Sequence, residues 1–63
     1  MQIGDLVKDR NGTVGIVLEA GGYGELFKIY CFDSGEANWL REWSLPEKFY
    51  PKERLWEVIN ASR

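Results

Sequence analysis

The first forty residues alternate apolar and polar positions at a period of two between turn signals, the pattern of half-buried β-strands. Residues 5–8 make a short extended segment, and Asp9-Arg10-Asn11-Gly12 follows as a turn in which Asn-Gly supplies the positive φ values of a tight hairpin. Over residues 13–20, Val14, Ile16 and Leu18 fall on one face and Gly15, Val17 and Glu19 on the other. Gly21-Gly22-Tyr23-Gly24 reads as a flexible loop. A third strand over residues 25–33 carries Phe27, Ile29 and Cys31 on one face and Leu26, Lys28, Tyr30 and Phe32 on the other. After a tight turn at Asp33-Ser34-Gly35-Glu36, residues 36–40 return as a fourth strand with Ala37 and Trp39 on one face. Phe27 and Trp39 are expected to pack inward.

The pattern changes after residue 40. Ser44-Leu45-Pro46-Glu47 has the spacing of a capping box with Pro early in the turn, and predicts one helical turn ending before Pro51. Leu55-Trp56-Glu57-Val58-Ile59 is β-rich and most simply closes the sheet as a fifth strand, with Trp56 in it. The competing reading is a terminal helix over residues 52–61, with Leu55, Trp56 and Ile59 as its buried stripe. Five short strands in so small a chain would leave long unpaired edges and a wet apolar face if the sheet stayed flat, so curling into a small barrel is expected. The predicted fold is all-β: one domain over residues 1–63, a five-stranded barrel with a short helical or irregular excursion before its last strand.

At this point the residues carry a resemblance. Ile3-Gly4-Asp5-Leu6-Val7-Lys8, then Gly12-Thr13-Val14-Gly15-Ile16-Val17, then Phe32-Asp33-Ser34-Gly35-Glu36 ahead of Trp39, resembles the Src-homology-3-like barrels of the KOW and Tudor type. The chain is also similar to short barrel proteins of that kind from bacteriophages and bacteria. Likeness to Tudor barrels implies an aromatic cage for methylated Lys or Arg, with Tyr30, Phe32 and Trp39 in its later part; the first hairpin, Asp9-Arg10-Asn11-Gly12, supplies no ring. Likeness to KOW barrels implies contact with RNA or a polymerase through the first loops, where only Lys8 and Arg10 are basic, against Asp5 and Asp9.

Composition narrows the chemistry. The chain has 63 residues, no His and a single Cys, Cys31, so a zinc cluster, a disulfide framework and a Ser-His-Asp or Cys-His site are excluded within one chain. Cys31, mid-strand beside Phe27 and Ile29, reads as a small buried hydrophobe, and the scattered carboxylates form no local acid–base pair. No cofactor, metal or catalytic residue is expected. The formal net charge of -2 disfavours a partner made of phosphates. The longest apolar run, Gly15-Ile16-Val17-Leu18, is too short to span a membrane, and the first residues lack the basic and apolar regions of an export signal, so a cytoplasmic location is expected.

Three each of Trp, Tyr and Phe is a high aromatic content for such a chain. The excursion over residues 41–54 holds Trp43, Phe49 and Tyr50 among four basic and three acidic residues, a local +1 that leaves -3 for the rest. Rings interleaved with cations suit either the hot spot of a protein interface or the stacking of single-stranded bases. They also suit a cap on an open barrel end. The expected binding residues are Tyr30, Phe32, Arg41, Trp43, Lys48, Phe49, Tyr50 and Lys52. The expected function is a non-catalytic binding or assembly module acting through protein contacts or self-association, with a single-stranded nucleic-acid-binding barrel as the alternative.

Overall fold

A computed structural model of the chain describes residues 1–45 and 51–61. It is all-β: strands β1 (Leu6–Asp9), β2 (Val14–Gly21), β3 (Leu26–Cys31), β4 (Glu36–Arg41) and β5 (Trp56–Asn60) form one antiparallel sheet in the order β4-β3-β2-β1-β5. A single 3-10 turn at Gly22–Gly24 is the only helical element among the described residues. The expected meander of four strands is present, and the last segment is a strand, not a terminal helix: β5 pairs antiparallel with β1, with Trp56 opposite Asp9. Strand pairing wins because the β-branched Val58 and Ile59 continue an extended chain, while Trp56 is the buried residue of β5.

Strands β4 and β5 stand at the two ends of the sheet order and share no ladder. A local connection nevertheless links the two ends. Trp43 and Arg54 form an isolated antiparallel bridge; Ser44 N donates to Glu53 O at 2.7 Å, and Leu55 N donates to Glu42 O at 2.6 Å. The approach to β5 thus runs against the continuation of β4. The predicted helical turn falls on Pro46 and the residues after it, outside the described residues; Ser44, its expected cap, accepts a hydrogen bond from Glu53 N through Oγ at 2.8 Å.

The first hairpin is built differently from the expected Asn-Gly turn. Gly12 alone has a positive φ, at 86°, and Asn11 does not. Asp9 Oδ1 accepts from both Asn11 N and Thr13 N at 2.9 Å, while Gly12 N donates to Asp9 O. Three residues separate the paired Asp9 and Thr13, the loop length that places one left-handed glycine at its end. The carboxylate therefore satisfies the amides that a two-residue turn would have paired otherwise.

The core consists of Val7, Val17, Phe27, Ile29 and Trp56, with Met1, Cys31, Leu40 and Leu55 packed against it. Residues opposite one another across a ladder share a face. Val17 lies opposite Ile29, Val7 opposite Gly15 and Val58, and Phe27 opposite Leu40, so these rows face inward. Of the two faces of β2, the inward one is thus that of Gly15 and Val17, while Val14 and Ile16 are half-buried and Leu18 is exposed on the other side. Strict alternation ends at Leu18: Val17 pairs with Ile29 and Glu19 with Lys28, which makes Leu18 an extra residue in a bulge.

The expected inward placement of Trp39 is overturned. Leu40 is the β4 residue opposite Phe27, which turns Trp39 outward opposite Lys28, with 48% of it exposed. The run Glu36-Ala37-Asn38-Trp39-Leu40-Arg41 alternates weakly, so its facing is set by its register with β3. Near the chain start, the buried Asp5 carboxylate accepts a hydrogen bond from Gln2 N at 2.8 Å, and Val17 N donates to Asp5 O.

Candidate functional site

The outward face of the sheet collects rings and aliphatic side chains. Leu6, Ile16, Tyr30 and Ala37 share one row across β1 to β4. Tyr30 and Phe32 meet edge to face, their centroids 5.7 Å apart and their planes at 75°. Phe32, 51% exposed, ends this pair at the β3–β4 turn. Trp39 lies further along β4, and its Cζ3 is 3.2 Å from where a Cβ on Gly21 would sit. One side of the indole thus rests against backbone that only glycine leaves bare, which holds the ring in place without burying it.

Toward the far end of β4 the outward positions continue as Trp39, Arg41 and Trp43. Arg41 Nη1 lies 3.5 Å from Glu25 Oε2. Trp43 carries two cations on its ring: Arg54 Cζ is 4.7 Å and Lys52 Nζ 5.8 Å from the ring centroid. A shallow cleft of about 160 Å³ opens there, lined in part by Glu25, Arg41, Glu42, Trp43 and Lys52. A second cleft, of about 150 Å³, lies between the first hairpin and β5 and includes Lys8, Arg10, Arg54 and Glu57. Its Lys8 and Arg10 are already engaged, with Glu57 at 3.5 Å and Glu53 at 2.6 Å.

The expected binding residues therefore divide. Arg41, Trp43 and Lys52 come together at one cleft. Tyr30 and Phe32 come together near the other end of β3, roughly four strand residues and ~13 Å away. Lys48, Phe49 and Tyr50 lie outside the described residues. Two members were missed. Arg54 sits on Trp43 across the bridge, which spacing along the chain does not reveal. Trp39 is expected inward from its strand face, although the alternation of Trp39, Arg41 and Trp43 is visible in the sequence and puts all three on one face.

Tyr23 is a further outlier. It has φ 57° and ψ 33°, a left-handed conformation uncommon for an aromatic residue, and its side chain is fully exposed at the tip of the β2–β3 connection.

Cys31 is half-buried against the core. Burial raises its thiol pKa above the ordinary value, and the negative charges of Asp9 and Asp33 add to the rise. A raised pKa means less thiolate at any given pH, and the thiolate is the reactive form. Alkylation of the folded chain by iodoacetamide at pH 8 is accordingly expected to run several-fold slower than that of glutathione, and to reach a comparable rate in denaturant. Equal rates for the folded chain and glutathione would contradict this assignment.

Among the described residues no group of three or more Cys, Asp or Glu side chains is placed to hold a metal ion, and no helix is long and apolar enough to cross a membrane. No protein-family model, curated protein or solved structure matches the chain.

Proposed function

We propose that this chain is a non-catalytic binding or assembly module of the Src-homology-3-like barrel type, similar to short phage and bacterial barrels, and that it works through protein contacts. Support for the barrel comes from the return of β5 to β1 and from the Trp43–Arg54 bridge at the opposite sheet end. A single Cys without a disulfide partner suits a reducing, intracellular compartment. The observation that carries the function is the outward placement of Trp39, on the same face as Tyr30, Phe32 and Ile16. Half-exposed Trp and Tyr rings held on a rigid sheet are the residue types that dominate interface energetics.

The test uses the whole chain and its Trp39→Ser variant. Sedimentation across a hundredfold concentration range reads self-association, and affinity capture from a bacterial lysate reads other protein partners. Concentration-dependent association, or a captured protein, that is lost in Trp39→Ser while the amide spectrum stays dispersed supports the proposal. A chain that remains monomeric throughout and captures nothing that depends on Trp39 overturns it. Single-stranded nucleic acid is the competing reading, because Trp43 combines a ring with two cations.

A further inference from the structure

We infer that the corner formed by Trp43, Lys52 and Arg54 recognises a carboxylate carried by an extended segment of the protein partner, an inference that rests on the protein-contact reading above. Six side-chain cations lie among the described residues: Lys8, Arg10, Lys28, Arg41, Lys52 and Arg54. Four of them meet a carboxylate: Lys8 with Glu57 at 3.5 Å, Arg10 with Glu53 at 2.6 Å, Lys28 with Glu19 at 3.4 Å and Arg41 with Glu25 at 3.5 Å. Lys52 and Arg54 form no ion pair among the described residues and lie instead over the ring of Trp43.

That arrangement orients two cations whose donors meet no carboxylate of the described residues. A guanidinium on an aromatic face is attracted through its charge, whereas its N–H groups point outward in its own plane, in a fork that fits a carboxylate. Both cations are exposed, so an incoming oxyanion reaches them without rearrangement of the sheet. Bound carboxylate would complete what the other four cations already have.

The surroundings favour a peptide over a phosphate backbone. Glu25 and Glu42 line the same cleft as Trp43, and Glu53 lies between the two cations in the chain. A nucleic-acid strand brings a negative charge with every nucleotide, and charges beyond the first would run against these carboxylates on a chain of net charge -2. A peptide carries its carboxylates singly. The outward positions Trp39, Arg41 and Trp43 repeat every second residue, roughly 7 Å apart, with Trp39 and Trp43 exposed and Arg41 half-buried between them. An extended segment lying alongside repeats at the same interval, so one that carries an apolar residue four positions from its carboxylate sets that residue near Trp39 when the carboxylate is at the corner.

The test is a titration of the isotopically labelled full chain, followed through backbone amide and Trp indole resonances. The probe is a short acetylated and amidated peptide in which one leucine and one glutamate stand four residues apart among serines; its control has glutamine in place of glutamate. The glutamate peptide is expected to shift the Trp43 indole and the Ser44 amide, at least tenfold more tightly than the control, with a midpoint that weakens as salt rises. The double variant Lys52→Gln/Arg54→Gln should weaken binding about tenfold. Trp43→Phe, which keeps a ring under the cations, should bind nearly as the parent does, and Trp43→Leu several-fold less.

Equal binding of the two peptides, or no change in the double variant, overturns the inference. Tighter binding of an oligothymidylate than of the glutamate peptide at the same resonances also overturns it, in favour of nucleic acid. Loss of the corner with retention of Trp39-dependent capture leaves the protein-contact function standing, whereas loss of both removes it as well.

Discussion

Replacement of Ile29 by Ala is expected to leave much of the chain unfolded at 25 °C. Ile29 is completely buried at the centre of the sheet, opposite Val17 on one side and Asn38 on the other. Among the described residues five apolar side chains form the buried core. At about 0.05–0.15 kcal/mol per residue, a domain of this length has roughly 3–9 kcal/mol of total stability. Truncation of a buried Ile to Ala costs about 2–5 kcal/mol, of the same order as that total, and the cost is larger where neighbours cannot collapse into the gap. Here the neighbours are strand residues tied by ladders on both sides, so collapse is restricted. Urea unfolding followed by Trp fluorescence measures the loss. Ile29→Val, costing about 0.5–1.5 kcal/mol, should remain folded. An Ile29→Ala chain within about 1 kcal/mol of the parent would show that the core is not where the sheet register puts it.

Gly15→Ala is expected to destabilise the chain by about 1–3 kcal/mol, the range for forcing extra atoms into a packed interior. General expectation runs the other way, because Gly within a strand is conformationally costly and its replacement by Ala often stabilises by about 0.4–1 kcal/mol. Contact decides the sign. A Cβ at Gly15 would lie 2.6 Å from Tyr30 O and 2.7 Å from Ile29 Cγ2. The Ile29 methyl can move by rotation, but the Tyr30 carbonyl belongs to the backbone of the adjacent strand, so relief requires β2 and β3 to separate. The midpoint of thermal unfolding should fall by roughly 4–8 °C per kcal/mol in a domain of this size. Because the two sites touch, Gly15→Ala/Ile29→Ala should lose less than the sum of the single losses. A rise in the midpoint for Gly15→Ala would refute the close approach.

Turn chemistry and period-two alternation are local properties, which is why the strands, their limits and their order along the chain were legible from residues alone. Asn11-Gly12, Gly21-Gly22-Tyr23-Gly24 and Ser34-Gly35 punctuate the apolar runs, and every predicted strand is present within a residue or two. The last segment was legible only as two alternatives, since Leu55, Trp56 and Ile59 fit a helical stripe as well as a strand end. Pairing of Trp56 with Asp9 and of Val58 with Val7 makes it a strand. The candidate site was less legible. Arg41, Trp43 and Lys52 were picked out by composition and do meet at one cleft, but Tyr30 and Phe32 belong to a different part of the face, and Arg54 was not among the expected residues.

The sequence by itself determined four short strands in the first forty residues, a fifth segment open between strand and helix, and a chain with no His and a single Cys. Only the tertiary structure decided which side of each strand is inside. Alternation divides a strand into two faces without naming the buried one, and a bulge such as that at Leu18 exchanges them partway along. The register of β4 against β3 turned Leu40 inward and Trp39 outward, and the bridge between Trp43 and Arg54 brought together residues separated by the excursion. Those are contacts between segments distant in the chain. Their energies depend on partners that no local pattern identifies, and the face available for binding is whatever surface those contacts leave uncovered.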